Sequence, residues 1–331
     1  MKHDRSGALA FFAARLAAAA FSALALALPA QAQEYPTKPV RLVVGFPPGG
    51  ATDLVVRLMA PKYTEIFKQQ FIVDNRPGAN GVIATDFTAK SPPDGYIVHL
   101  AHIGSLVISP AVGKVPYDPI KDLAPVTQVV SLQNIFIVHP SLPVKTLKEL
   151  IALARAKPGR FNYATSGTGS PGHLAGELFK NMAKVDLVHV PYKGGGPALT
   201  DLIAGHIEIF VAVISTAVPQ VRAGKARALA VTGARRSPAL PEVPTVAEAA
   251  IKGYEASNWY GFVVPAATPQ PIIERLHRET VAILNQPDIR KALLDRGIEA
   301  APSSPLEFAA HIQRETEKWT KIIRAMKIKI E

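Results

Sequence analysis

Residues 40–53 read VRLVVGFPPGGATD, an apolar β-type run that enters a turn of two prolines and two glycines and then opens a helix. Apolar residues recur at helical spacing on one side of that helix, and Pro61 predicts a kink inside it. A second strand (FIVDN, 71–75), a turn (RPGANG, 76–81), a helix ending near Lys90 and a third strand (YIVHLAH, 96–102) follow. This β-α-β-α-β order predicts parallel strands with right-handed crossovers.

A second series of the same kind begins near residue 146, with three amphipathic helices alternating with four short strands up to residue 232. After residue 257 the pattern predicts one strand and then helices near 269–285, 287–295 and 304–327. The apolar faces of these last helices must pack against a sheet, and the first series has few helices relative to its number of strands. The chain is therefore predicted to leave its first domain near residue 133 and to return near residue 257.

The predicted fold class is α/β, with two α/β domains, a two-crossover hinge and a central cleft. Domain 1 would consist of residues 33–132 and 258–331, and domain 2 of residues 133–257. Residues 1–32 are excluded because they read as a secretory signal peptide: basic residues, an apolar run from Leu16 to Leu28 and the small-x-small site Ala30-Gln31-Ala32. A membrane anchor is the alternative, but the run is shorter than the ~20 residues a span needs. The mature chain is expected to begin near Gln33 in the periplasm.

Composition narrows the function classes. The chain has no cysteine, so stability must come from burial, and no lipid-modified cysteine can follow the leader. Removing the leader, with three basic residues and one acidic, lowers the formal net charge from +11 to +9. Lysine and arginine are scattered, without the basic stripe typical of nucleic-acid binding. No nucleic-acid partner is expected.

Gly167, Gly169 and Gly172 spell G-x-G-x-x-G, the pattern of a dinucleotide-binding turn. A nicotinamide site also needs an acidic residue about 20 positions later, at the end of the next strand. This chain reads HVPYKGG there and has no acidic residue. Neither Ser166 nor Ser170 completes a G-x-S-x-G nucleophile motif, and the nine histidines show no metal-ligand spacing. We therefore expect no cofactor, no metal and no catalysis. A hydrolase that pairs Ser166 with His173 is the remaining enzymatic alternative.

Two glycine turns each follow a strand and open a helix, at 45–53 and at 166–172. Backbone N–H groups and the positive end of a helix favour anions at such turns. Because ligands of open α/β sheets bind at the carboxyl ends of strands, the two turns should face each other across the cleft. They suit a small molecule with a carboxylate at one or both ends.

The predicted ligand-binding residues come from these turns and their neighbours: Phe46, Pro48, Gly49, Gly50, Ala51, Ser105, Ser166, Thr168, Gly169, Ser170, His173, Tyr192, Lys193, Asn258 and Trp259. Most have a structural alternative. The hydroxyls of the 166–170 turn could cap the next helix, His173 and Trp259 could be packing residues, and Lys193 could be a solvated charge. Thr52 or Asp53 is expected to cap the first helix. Asp53 is expected to be a cap and not a ligand contact, because a carboxylate would repel a carboxylate ligand.

Longer stretches carry a family resemblance: YPTKPVRLVVGFPPGGATD, VDNRPGANG, PYDPIKDLAPVTQV, HPSLPVKTLKELIALARAKPGRFNYATSGTGSPGHLAGELF, HVPYKGGGPALTDLIAGHIE and NWYGFVVPAATP. The chain resembles the extracytoplasmic receptors of tripartite tricarboxylate transporters, the Bug family of periplasmic solute-binding proteins. The resemblance implies a type II periplasmic-binding fold and a monomer that delivers its ligand to membrane transporter subunits. It also implies that the loop after the first strand and the glycine-serine turn hold the ligand, often a carboxylate, with ordered waters.

One stretch departs from the family pattern. FVAVIST (210–216) is more apolar than the polar segment expected there, which leaves open how the back wall of the pocket contacts its ligand. A sensory receptor for a signalling partner fits the same binding fold. The ligand stays open among dicarboxylates, tricarboxylates, amino acids, aromatic acids and neutral compounds.

Overall fold

A computed structural model describes residues 35–326 of the chain. The predicted signal peptide and its cleavage site lie outside these residues. The described residues contain ten β-strands: β1 (Val40–Val44), β2 (Phe71–Asn75), β3 (Ile97–His102), β4 (Leu123–Val138), β5 (Asn162–Thr165), β6 (Val188–Pro191), β7 (Ile209–Val213), β8 (Arg227–Val231), β9 (Ser257–Pro265) and β10 (Glu299–Ala300).

The α-helices of the described part are α1 (Ala51–Phe67), α2 (Val82–Ala89), α3 (Ser109–Val112), α4 (Leu147–Ala156), α5 (Pro171–Ala183), α6 (Gly195–Ile203), α7 (Ile214–Arg222), α8 (Val246–Ala249), α9 (Gln270–Leu284), α10 (Pro287–Leu294) and α11 (Pro305–Met326). A 3₁₀ turn (Ala79–Gly81) and a buried π-helical turn (Gly104–Ile108) add to these. Within residues 35–326, no helix combines the length and the apolar character that a membrane span requires.

The strands form a mixed sheet in the order β2-β1-β3-β9-β4-β7-β5-β6, with β8 and β10 also paired to β4. Strand β1 is parallel to β2 and β3, and β5 is parallel to β6 and β7, so the parallel pairs predicted within each series are confirmed. The two central strands, β4 and β9, are antiparallel to their neighbours, which the sequence pattern did not predict. Their pairing joins segments more than 100 residues apart, and local periodicity carries no information on such contacts.

Strand β4 connects the two parallel groups. It pairs with β9 up to Gln133, opposite Ser257, and from Asn134 onward it pairs with β7 and β8. We call β1, β2, β3, β9 and the first part of β4 the first group, and β5, β6, β7, β8 and the rest of β4 the second group. The domain division at residues 133 and 257 stays a prediction.

The core follows from the apolar faces of these elements. Helix α1 buries Val55, Met59 and Tyr63 on one side, and the ring of Tyr63 stacks on Phe71 with centroids 4.9 Å apart. Among the C-terminal helices, α9 packs against β4 and α1, and α11 packs against β4 and the π-helical turn. Phe308 of α11 meets Trp259 of β9 edge to face at 5.5 Å. These contacts pack the C-terminal helices against β4 and β9.

Candidate ligand-binding cleft

A cavity lies where the loops after β1, β5, β6 and β7 converge. Its walls are formed by residues from both strand groups: Phe46–Pro48, Gly50–Thr52, His102, Ser166, Pro171, Lys193–Pro197, Val213, Thr216, Asn258 and Tyr260. Seven of the residues predicted from sequence line it, namely Phe46, Pro48, Gly50, Ala51, Ser166, Lys193 and Asn258. The other eight lie outside the lining: Gly49, Ser105, Thr168, Gly169, Ser170, His173, Tyr192 and Trp259.

The loop after β1 brings the N-terminus of α1 to the cavity. Gly50 is the N-cap, and no side chain caps the helix, so the prediction that Thr52 or Asp53 would do so is wrong. The Asp53 carboxylate instead accepts hydrogen bonds from the Gly49 amide (2.9 Å), Arg57 Nε (2.8 Å) and Asn75 Nδ2 (3.0 Å). Burial alone would raise the pKa of Asp53, but these hydrogen bonds outweigh it and lower the pKa. Asp53 therefore holds the loop, and the first N–H groups of α1 are left without a side-chain cap.

Two further helices begin at the cavity in the same way. Gly194 is the N-cap of α6 and Val213 is the N-cap of α7, and neither helix has a side-chain cap. Both N-cap residues line the cavity. The apolar stretch 210–216 thus contributes the start of a helix, and its apolar side chains do not prevent it from offering backbone N–H groups. Three uncapped helix N-termini, each with a partial positive charge, converge on one cavity.

The sequence suggested that the glycine turn between β5 and α5 offers its backbone N–H groups to an anion, but two of these amides are bonded within the protein. The Gly167 amide donates to Thr165 Oγ1 (3.2 Å) and the Gly169 amide to His173 Nδ1 (3.1 Å). Ser170 caps α5 by accepting from the His173 amide at 3.2 Å. These groups are engaged within the protein, and Ser166 is the residue of the 166–170 turn that lines the cavity.

His173 is buried and forms a histidine pair with the partly buried His189 beneath this turn. Its ring stacks on that of His189, and His189 Nε2 lies 2.7 Å from Thr165 Oγ1. Burial lowers the pKa of His173 to about 4 and that of His189 to about 3, so both rings are neutral near pH 7. Within residues 35–326, no hydrogen bond joins Ser166 to His173, and the pairing that a hydrolase would need is not formed.

Three other predicted residues bond or pack away from the cavity. The Tyr192 hydroxyl donates to Asp201 at 2.7 Å, and the Ser105 hydroxyl donates to the His102 carbonyl at 3.4 Å. Trp259 is a core residue, packed against Phe308 and His311. These contacts agree with the packing alternative for Trp259.

The lining carries little formal charge. Lys193, which is exposed, is the one lysine or arginine among the lining residues of the described chain. His102 accepts a hydrogen bond from the Gly104 amide through Nδ1 (2.9 Å), and burial lowers its pKa to about 3, so it is neutral.

The lining also holds neutral polar groups that lack a regular partner. Thr52 is buried with its hydroxyl unpartnered, and the Asn258 amide lies beside the Tyr260 hydroxyl without a hydrogen bond of normal geometry. His102, Thr52 and Tyr260 were missed because polar or aromatic residues at strand ends and first helical turns carry no distinguishing local signal.

Comparison with known proteins places the chain among transport receptors. The family model described as tripartite tricarboxylate transporter family receptor matches residues 55–328. The UPF0065 protein in the tcbD-tcbE intergenic region of Pseudomonas sp. (strain P51) is 38% identical over 290 residues, covering 87% of this chain and 86% of that protein. Protein BugT of Bordetella pertussis (strain Tohama I) is 33% identical over 311 residues, covering 92% of this chain and 94% of that protein.

Solved structures are similar over the same length. The structure of R. palustris Rpa4515 with adipate has a TM-score of 0.86 and 37% identity, covering 89% of this chain and 99% of that one. MatC (Rpa3494) from Rhodopseudomonas palustris with bound malate has a TM-score of 0.83 and 31% identity, covering 87% and 100%. The periplasmic binding protein BugD has a TM-score of 0.85 and 30% identity, covering 89% and 99%. The predicted periplasmic-binding fold and the resemblance to the Bug family are confirmed.

Proposed function

Because the chain belongs to the family of tripartite tricarboxylate transporter receptors, we propose that it binds a small carboxylate in the cleft and delivers it to the membrane subunits of such a transporter. The observation that carries this proposal is the convergence of three uncapped helix N-termini, those of α1, α6 and α7, on one cavity. Helix N-termini bind anions through backbone N–H groups and the helix dipole, without a buried cation.

The charge distribution supports an anionic ligand held mainly by neutral groups. Lys193 at the exposed rim attracts an anion from solvent, while the buried His102 stays neutral and places no charge against the ligand. The adipate and malate bound by similar proteins are both carboxylates, which favours the same ligand class here. Ser166, Thr52 and Asn258 would add side-chain hydrogen bonds that select among acids.

Capture would proceed by hinge closure between two domains, residues 33–132 with 258–331 and residues 133–257. The change of partner along β4 between Gln133 and Asn134, and the start of β9 at Ser257, support hinges at these two points. Closure about such crossovers sequesters small ligands from water. The mature protein would act as a periplasmic monomer without catalytic activity, and the engagement of His173 with Gly169 instead of Ser166 supports binding without turnover.

A thermal-shift panel tests the proposed ligand class. The purified mature protein is screened with adipate, malate and other small acids, each beside its uncharged amide at equal concentration. A true ligand at 100 times its dissociation constant should add ~2.7 kcal/mol of stability, and it should be recovered chemically unchanged. Equal stabilisation by an acid and its amide, or conversion of the acid to a product, would contradict the proposal.

Processing is tested on exported material. Intact-mass analysis should give a chain beginning near Gln33, with the leader removed after Ala30-Gln31-Ala32. A periplasmic protein that retains residues 1–32 would contradict the predicted cleavage.

A further inference from the structure

A side chain of the first strand group reaches the glycine turn of the second. Asn80 Nδ2 donates a hydrogen bond to the Gly169 carbonyl at 2.6 Å, across 89 residues of sequence. Asn80 follows β2 of the first group, and Gly169 follows β5 of the second. The bond therefore joins the two groups beside the cavity, between protein atoms alone.

The backbone that presents Asn80 is held in an uncommon conformation. Gly78, Ala79, Asn80 and Gly81 all have positive φ, at 140°, 45°, 50° and 80°. L-residues such as Ala79 adopt this region only at an energetic cost, and Asn tolerates it better than most. Local sequence preference does not explain why two successive non-glycine residues, Ala79 and Asn80, have positive φ. Surrounding contacts must hold the segment in place.

Close packing supplies those contacts. A Cβ at Gly45 would lie 2.7 Å from the Gly81 Cα, so the segment rests directly on the end of β1. A Cβ at Gly104 would lie 2.6 Å from Asn80 Nδ2, so the Asn80 side chain passes through space that a glycine leaves free. The contact at Gly45 therefore supports the backbone of the segment, and the contact at Gly104 borders the Asn80 side chain that reaches Gly169.

The hydrogen bond completes the fixation of Gly169. Its amide is held by His173 of its own group and its carbonyl by Asn80 of the other. Ser166, which lines the cavity, belongs to the same short turn.

We propose that Asn80 is a positioning residue that fastens the 166–170 turn to the first strand group when the cleft closes, an inference that rests on the proposed hinge closure. Asn80 does not need to touch the ligand for this. Because donor and acceptor both belong to the protein, the bond favours the closed cleft for any ligand. Its loss should speed ligand release more than it slows ligand entry.

The test measures closure directly and without an added acid. The chain has no cysteine, so a Glu65→Cys/Lys148→Cys pair on the exposed faces of α1 and α4 can carry a donor and an acceptor dye. Single-molecule energy transfer then gives the ratio of closed to open molecules.

Two variants remove the hydrogen bond. Asn80→Asp keeps the side-chain size, but its ionised carboxylate cannot donate to a carbonyl, and Asn80→Gly allows the same backbone conformation without the side-chain amide. Asn181→Asp makes the same chemical change on the exposed face of α5 and is the control.

Both Asn80 variants should lower the closed-to-open ratio by about 2- to 12-fold, the factor for one ordinary hydrogen bond, while Asn181→Asp leaves it unchanged. Melting temperatures measured in parallel show whether each variant is folded. If Asn80→Gly is destabilised, the isosteric Asn80→Asp decides. A folded Asn80→Asp protein with the wild-type ratio would overturn the proposal. Since no acid is added, a failure of the proposed carboxylate binding would not alter this readout.

Discussion

His173 and His189 stack ring on ring beneath the glycine turn, with centroids 3.9 Å apart and ring planes inclined by 13°. Each ring holds part of the turn, His173 through the Gly169 amide and His189 through Thr165. Both contacts are made with the rings neutral, because Nδ1 of His173 can accept a hydrogen bond only when it is unprotonated.

The stacked histidine pair predicts acid sensitivity. Burial lowers the pKa of His173 to about 4 and that of His189 to about 3, from 6.5. Below pH ~6.5 the unfolded chain binds more protons than the folded one, so the free energy of unfolding should fall as the pH drops from about 6.5 toward 4. Above that range these groups contribute no pH dependence.

The contribution of the pair can be isolated by substitution. Urea unfolding between pH 4 and 8 should show a smaller acid-induced loss in His189→Gln than in the wild type, whereas the exposed His206→Gln should match the wild type. Buried His99 and His102 will keep part of the slope in every variant. An unchanged slope in a folded His189→Gln protein would contradict this account of the turn.

Asp53 is expected to act on binding through the loop that it holds. Asp53→Asn keeps the shape but weakens acceptance from Gly49 and Arg57, so it should lower the free energy of unfolding by about 1–3 kcal/mol. It should also weaken binding of any acid found by thermal shift. Asp295→Asn, at an exposed ion pair with Lys291, is the matched control and should change neither quantity. Calorimetric titration that gave wild-type affinity for Asp53→Asn would refute a loop-holding role.

Gly172 is expected to be a packing glycine. A Cβ there would lie 2.4 Å from the Val211 carbonyl oxygen, so α5 approaches β7 at a distance that only glycine permits. Gly172→Ala should therefore destabilise the protein by about 1–3 kcal/mol. Gly113→Ala, where no atom lies within 4 Å of the added methyl, serves as control in the same denaturation experiment. Equal stability of the two variants would show that the backbone shifts at no cost.

Tryptophan emission should report ligand binding from one site. Trp259 follows Asn258, which lines the cavity, whereas Trp319 lies in α11 and donates to Glu315 at 3.2 Å. We expect Trp319→Phe to keep the ligand-dependent change in emission and Trp259→Phe to lose most of it. The reverse result would contradict a hinge next to Trp259.

Local patterns predicted the parts of this molecule that local physics controls. Apolar periodicity identified most strands and helices of both groups, although β4 and α7 were not predicted. Glycines marked the turns, as at Gly49 and Gly169, which both have positive φ. The antiparallel pairing of β4 with β9 depends on contacts between distant segments, and the pattern along either strand does not encode it.

The candidate site shows the same limit. The turn at 166–170 was identified, but the partner of each amide depends on His173 and Thr165, whose orientation is set by packing. Likewise, the start of α7 at Val213 contributes to the cavity by position, and its apolar sequence gave no sign of an anion site. Asn80 stood in a predicted turn, yet its contact with Gly169 arises only when the two groups meet.

The central claim is that helix N-termini from both strand groups hold one ligand. Gly50 of the first group and Gly196 of the second line the cavity, have ordinary φ, and leave room for a side chain that would project from the backbone. Titration calorimetry with the acid selected by thermal shift should compare the wild type, Gly50→Val, Gly196→Val and the control Gly113→Val. We predict that each cavity variant stays folded and binds at least ~10-fold more weakly, equivalent to about 1.4 kcal/mol, while the control binds normally. Wild-type affinity in either cavity variant would mean that one strand group suffices, and the account of a shared cleft would be contradicted.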